Sequence, residues 1–101
     1  MRALELGADI VMHSATKAIN GHSDVLAGVL STNATDSETW QSVRADRKMA
    51  GAVLGPFEAW LLLRAMRTLP LRVERMSQNA MAVATFLLDH PLIEDVFYPG
   101  L

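Results

Sequence analysis

The sequence predicts an α/β fold. Two short, near-continuous apolar runs rich in β-branched residues lie at 9–13 and 25–32, and three helix patterns follow them. Runs that do not alternate with polar residues suit strands covered on both faces by helices. Arg2 to Leu6 reads as the tail of a helix, with Gly7 where a helix commonly stops in the left-handed conformation. Asp9-Ile10-Val11-Met12-His13 is then a buried strand, bounded by Gly7 and by the small polar cluster Ser14-Ala15-Thr16. Val25 to Thr32 is the second strand.

Thr35-Asp36-Ser37-Glu38 has the capping-box spacing, a hydroxyl followed three residues later by a carboxylate, and Trp40, Val43 and Arg47 recur at helical intervals. A helix is expected over 36–49. Gly51 and Gly55 loosen the backbone before Pro56, whose missing amide costs nothing at the first position of a helix running to about Thr68. Trp60, Leu61, Leu62, Leu63, Ala65, Met66 and Leu69 leave that helix little polar face; such a helix is normally buried on most sides, and a chain of this length is expected to be scarcely able to wrap it alone. Pro70 opens the longest helix, to about Asp89. Its apolar stripe is Val73, Met76, Ala80, Val83, Ala84 and Leu87. His90-Pro91 ends it, and Asp95-Val96-Phe97-Tyr98 is expected to begin a further strand.

A chain of 101 residues, half apolar and one-fifth charged, is a folded domain or part of one, not a disordered segment. Its mean hydropathy of +0.19 is high for a domain that would bury only about two-thirds of its unfolded surface, which points to neighbours outside these residues. A net charge of −2 offers no footprint for nucleic acid or anionic membrane. No apolar run approaches the roughly 18 residues of a membrane span. The absence of cysteine excludes disulfides and thiolate metal sites, and with no targeting segment recognisable at the amino terminus the expected location is the cytoplasm.

The densest polar patch is His13-Ser14-Ala15-Thr16-Lys17 with Asn20-Gly21-His22-Ser23-Asp24, wedged between the two strands. Ligands of open α/β sheets sit beyond the carboxyl ends of strands, and Lys17 lies just past such an end. A neutral lysine amine attacks a carbonyl carbon to form a Schiff base. Hydroxyls at Ser14 and Thr16 are suited to donate to a phosphate. His13 and His22 have no metal-pair spacing, so no metal is expected. Asp24 is expected either to pair with a basic group near the turn or to cap the entry to the second strand. Arg64, Arg67, Arg72 and Arg75 read as a solvated basic face, with anion or partner binding as the alternative. Ser14-Ala15-Thr16-Lys17 also satisfies the S-x-x-K pattern of penicillin-recognising acyl transferases, but it trails a strand, Val25 stands where S-D-N needs asparagine, and no K-T-G follows.

The run Gly7-Ala8-Asp9-Ile10-Val11-Met12-His13-Ser14-Ala15-Thr16-Lys17, followed by Ile19-Asn20-Gly21-His22-Ser23-Asp24-Val25-Leu26-Ala27-Gly28, closely resembles the cofactor-lysine segment of the pyridoxal-phosphate-dependent enzymes of cysteine and methionine metabolism. Leu54 to Arg64, Thr68 to Arg72, and His90-Pro91 with Tyr98-Pro99-Gly100-Leu101 resemble that family in the same order. The resemblance covers practically the whole chain. It implies part of the fold type I, aspartate-aminotransferase-like large domain: the end of the cofactor-binding domain over about 1–68, then a connecting helix and the start of the C-terminal domain over about 69–101.

The resemblance further implies that Lys17 forms the Schiff base with pyridoxal 5'-phosphate and shuttles protons, and that Ser14 and Thr16 contact the cofactor phosphate. The implied reaction acts on a small amino-acid substrate. The favoured form is gamma-replacement on an O-acylated homoserine, as in cystathionine gamma-synthase or the homoserine-ester sulfhydrylases, with gamma-lyase as the enzymatic alternative. The implied assembly is a homotetramer, a dimer of dimers. Two departures stand out. Ala18 replaces a common tyrosine, and the family's partner for the pyridine nitrogen, its stacking aromatic, its glycine-rich phosphate cradle and its substrate arginine have no match here. The chain is therefore expected to be an interior piece with little turnover of its own. The non-enzymatic alternative is a structural or oligomer-forming remnant.

Overall fold

The computed structural model describes residues 2–101, so Met1, where the expected first domain begins, lies outside the described residues. The chain forms two compact units that meet in sequence between Arg67 and Thr68. The first unit holds β1 (Val11–Ser14), a π-helical turn (Ala15–Ile19), β2 (Gly28–Ser31), α1 (Glu38–Met49) and α2 (Pro56–Met66). The second holds α3 (Leu69–Leu88) and the segment after it.

No helix forms over Arg2–Leu6, but the geometry of a helix end does. Gly7 N–H donates to Leu4 O (3.4 Å) and Ala8 N–H to Ala3 O (3.0 Å), the two bonds that close a helix at a left-handed residue. β1 and β2 then pair antiparallel, with Val11 opposite Ser31, Met12 opposite Leu30, His13 opposite Val29 and Ser14 opposite Gly28. The strands expected at 9–13 and 25–32 are thus both present but shorter, and they are not covered. Met12 is 68% exposed, and Leu30 also faces solvent. Among the described residues no α-helix packs on either strand, so Met12 and Leu30 have no helical cover.

α1 begins two residues later than expected because Ser37, not Thr35, is its cap. Ser37 Oγ accepts from Trp40 N–H (3.2 Å) and donates to Ala34 O (2.9 Å), whereas Thr35 contributes its backbone oxygen to Gln41 Nε2 (2.9 Å). A hydroxyl that satisfies an orphan amide in this way stabilises a helix by about 1 kcal/mol. Ser37→Ala is therefore expected to lower stability by about that amount, with Thr35→Ala costing clearly less, as read from urea midpoints. At the other end Gly51, at φ +70°, supplies the left-handed residue, and Ala52 N–H donates to Arg47 O (3.1 Å).

α2 opens at Pro56 as expected, and the Glu58 carboxylate folds back over Gly55, where a side chain would obstruct it. Leu62 and Ala65 are its buried residues, and α2 packs on the π-helical turn, whose Ala15 is 0% exposed. Val25 completes this small core. As expected for a chain of this length, the described residues do not wrap α2. Trp60 is 56% exposed and stacks on Phe57, ring centroids 6.0 Å apart, while Leu63 also faces outward.

In the second unit α3 matches its expected span within a residue at each end, but of its expected apolar stripe Ala84 alone is buried, and Val73, Met76 and Val83 are exposed. Residues 95–98 form no strand. The chain leaves α3 through turns in which His90 N–H donates to Leu87 O (3.1 Å) and Ile93 N–H to His90 O (3.0 Å), and it returns so that Gly100 lies beside the Met81 methyl group. No helix among the described residues is long and apolar enough to cross a membrane.

Candidate functional site

β1 ends at Ser14, and the chain turns at once through Ala15–Ile19. The turn is anchored by buried Ala15 and by Asn20 N–H, which donates to Ala15 O (2.9 Å). Lys17 interrupts the helical path with φ −84° and ψ −125°, and its side chain is exposed. Its carbonyl accepts from Gly21 N–H at 2.7 Å, so its backbone is held on the side that leads out of the turn.

On the other side, Thr16 is clamped to the start of the second strand. Thr16 N–H donates to Ala27 O (3.1 Å), Thr16 Oγ1 accepts from Ala27 N–H (2.8 Å), and the Thr16 hydroxyl donates to the same Ala27 O (3.2 Å). One residue thus makes three bonds to one partner across the hairpin. Ser14 is exposed and its side chain caps no backbone amide. Ser14, Thr16 and Lys17, singled out from the sequence, therefore stand within one turn. Ser14 and Lys17 face solvent, and Thr16 serves the hairpin.

Beyond Lys17 the chain reverses through Gly21 at φ +71° and Ser23 at φ +59°. Asn20 is 1% exposed. Its Nδ2 donates to Asp24 Oδ1 (2.7 Å), its backbone oxygen lies 2.6 Å from His22 Nδ1, and its Oδ1 is buried without a hydrogen-bond partner. Asp24 was expected to meet a basic group or to cap a strand. It accepts a hydrogen bond from Asn20 Nδ2 instead, across a reversal that contains the two left-handed residues Gly21 and Ser23. His13 and His22 are not brought together. His13 lines an open cleft of about 340 Å³ with Arg2, Glu5, Val11, Ser31 and Asn33, and Lys17 does not line it. Ala27 and Asn20 are the residues to which sequence reasoning gave no role. Ala27 offers only its backbone, which no residue type signals, whereas Asn20, a polar residue next to a glycine, is a recognisable turn signal.

The family model described as Cys/Met metabolism PLP-dependent enzyme matches residues 1–101. The cystathionine gamma-synthase of Mycobacterium tuberculosis is 54% identical over 98 residues, which are 97% of this chain and 25% of that protein. The cystathionine gamma-lyase of Dictyostelium discoideum is 50% identical over 98 residues, again 97% of this chain and 25% of the relative. Among solved structures, a methionine gamma lyase from Micromonospora echinospora matches with a TM-score of 0.89 and 42% identity, over 97% of this chain and 26% of that one. A cystathionine gamma synthase from Xanthomonas oryzae, in complex with aminoacrylate and cysteine, matches with a TM-score of 0.86 and 42% identity, over 97% and 25% of the two chains. The chain spans about a quarter of the length of these curated relatives.

Proposed function

The chain belongs to the Cys/Met metabolism PLP-dependent enzyme family, and on that premise we propose that it is the cofactor-lysine portion of a trans-sulfuration enzyme, with Lys17 the point of attachment. The observation that carries this reading is the presentation of one lysine on a turn held at both sides. Thr16 and Ala27 grip the backbone before it, and Gly21 grips its carbonyl after it.

The donor set fits a group that carries both an aldehyde and a phosphate. An exposed amine at Lys17 stands near an exposed hydroxyl at Ser14. Thr16 is the third donor of the reading: Ala27 N–H holds its oxygen in place at 2.8 Å, while its proton lies on the longer 3.2 Å contact to Ala27 O. Rotation about the C–O bond re-aims that proton at a phosphate oxygen without moving the side chain. Pyridoxal phosphate, when bound, supplies the electron sink for a carbanion at the substrate. The residues of this chain bind and orient. Ser14 and Thr16 would hold the phosphate, and Lys17 would hold the cofactor and carry a proton on Nζ.

The reaction proposed for the whole protein is gamma-replacement on an O-acylated homoserine, supported by the 54% identity to a cystathionine gamma-synthase. Gamma-elimination is the second reading, favoured by the gamma-lyases among the relatives. Residues up to about 68 are proposed to close the cofactor-binding domain of fold type I, and 69–101 to connect to the C-terminal domain. The proposed assembly is a dimer of dimers, as the family resemblance implies. All the named relatives are enzymes, and none favours a purely structural remnant.

The test is to add pyridoxal phosphate to the chain, reduce with borohydride and map the label by mass spectrometry. Lys48 on α1 is the second lysine of the sequence and an internal reference. Label concentrated on Lys17 is the expected result, and equal label on the two lysines overturns the reading.

A further inference from the structure

We propose that Asn20 is a positioning residue for Lys17, acting through its hydrogen bond to Asp24; this rests on the reading of Lys17 as the cofactor lysine. Asn20 is the largest fully buried side chain among the described residues, and it is polar. A carboxylate only accepts hydrogen bonds, so the Asp24 partner at 2.7 Å fixes the amide with Nδ2 toward it. That orientation strands Oδ1, which is buried without a donor. If the position needed filling alone, an apolar side chain would serve without an unmatched acceptor. The amide is kept for the bond it makes.

That bond closes the second of two clamps around Lys17. The first joins Thr16 to Ala27 ahead of the lysine. The second begins at Asn20, whose own N–H bonds Ala15 O at 2.9 Å and whose neighbour Gly21 N–H bonds Lys17 O at 2.7 Å. Through Nδ2 and Asp24 the same residue ties the turn to the segment that enters buried Val25. Removing the tie takes away the side-chain link between the turn that carries Lys17 and the segment at Asp24. The amine then samples more directions, and less of it meets the cofactor in the productive one.

The experiment compares the 101-residue chain with Asn20→Ala, Asp24→Ala and Asp24→Asn, reading the ratio of borohydride-fixed label on Lys17 to that on Lys48. Asn20→Ala and Asp24→Ala are expected to lower the ratio about tenfold, the worth of one hydrogen bond to a charged group. Asp24→Asn keeps an acceptor for Nδ2 and is expected to retain most of the ratio, a rescue that loss of charge alone would not give. If Asn20→Ala also loses its far-ultraviolet helix signal, the exposed Asp24 pair decides, and equal ratios for Asp24→Ala and Asp24→Asn overturn the proposal. Unchanged ratios in all three variants, with the wild-type chain selective, overturn the role of Asn20 and leave the reading of Lys17 intact. A wild-type chain that labels both lysines equally overturns both.

Discussion

Lys17→Arg is expected to abolish attachment of pyridoxal phosphate at position 17 while leaving the label on Lys48 unchanged. Arginine keeps the positive charge and much of the length of lysine, so an electrostatic attraction of the phosphate to this turn would survive the change. What does not survive is the nucleophile, because the guanidinium stays protonated and offers no lone pair to a carbonyl carbon. The two lysines of the sequence make the comparison internal to one sample, since Lys48 lies on α1 near its carboxyl end. Loss of the label at 17 with the Lys48 signal constant assigns the chemistry to the amine. A chain whose visible absorption and total label are the same before and after the substitution would show that the cofactor binds elsewhere.

The second large effect is expected at Thr16. Valine has nearly the shape of threonine but no hydroxyl, so Thr16→Val removes both side-chain bonds to Ala27 and leaves the Thr16 N–H to Ala27 O bond in place. Two hydrogen bonds lost at a part-buried site cost about 1–3 kcal/mol together. The loss falls on the joint between the turn and β2, so the label ratio is expected to fall along with the urea midpoint. Thr16→Ser keeps the oxygen and is expected to restore both readouts. A Thr16→Val chain with an unaltered midpoint and ratio would mean that the backbone bond alone holds the turn.

Much of this was legible in the sequence, and the parts that were not share a cause. Both strands and all three helices follow from apolar runs, from Pro56 and Pro70 near the helix starts, and from Gly51 and the His90-Pro91 stop. The candidate site was singled out as a polar patch between two apolar runs, and Lys17 by its place after a strand; the structure places Ser14, Thr16 and Lys17 at the turn between the two strands. Covering was misread. A near-continuous apolar strand states that both faces will be buried, without stating by what, and the described residues leave Met12 and Leu30 in solvent. The same holds for the stripe on α3, whereas the exposure of α2 follows from its nearly all-apolar surface on so short a chain. The cap of α1 was misplaced because Thr35 and Ser37 are both good caps, and only tertiary context chose Ser37. The expected strand at 95–98 did not form, since a strand needs a partner ladder and the returning chain meets the side of α3 instead.

Among the described residues the two-stranded ladder of Val11–Ser14 and Gly28–Ser31 has no further strand on either edge, and a ladder this small is marginal in water by itself. Each edge presents backbone donors and acceptors to any extended segment that arrives. The order of arrival therefore matters during folding. A strand that seats correctly on the edge of β1 stiffens the very backbone that runs on into Ser14 and the lysine turn, whereas a mispaired neighbour locks the same backbone in the wrong place. On the proposed reading of Lys17, attachment of the cofactor is expected to depend on how that edge is paired.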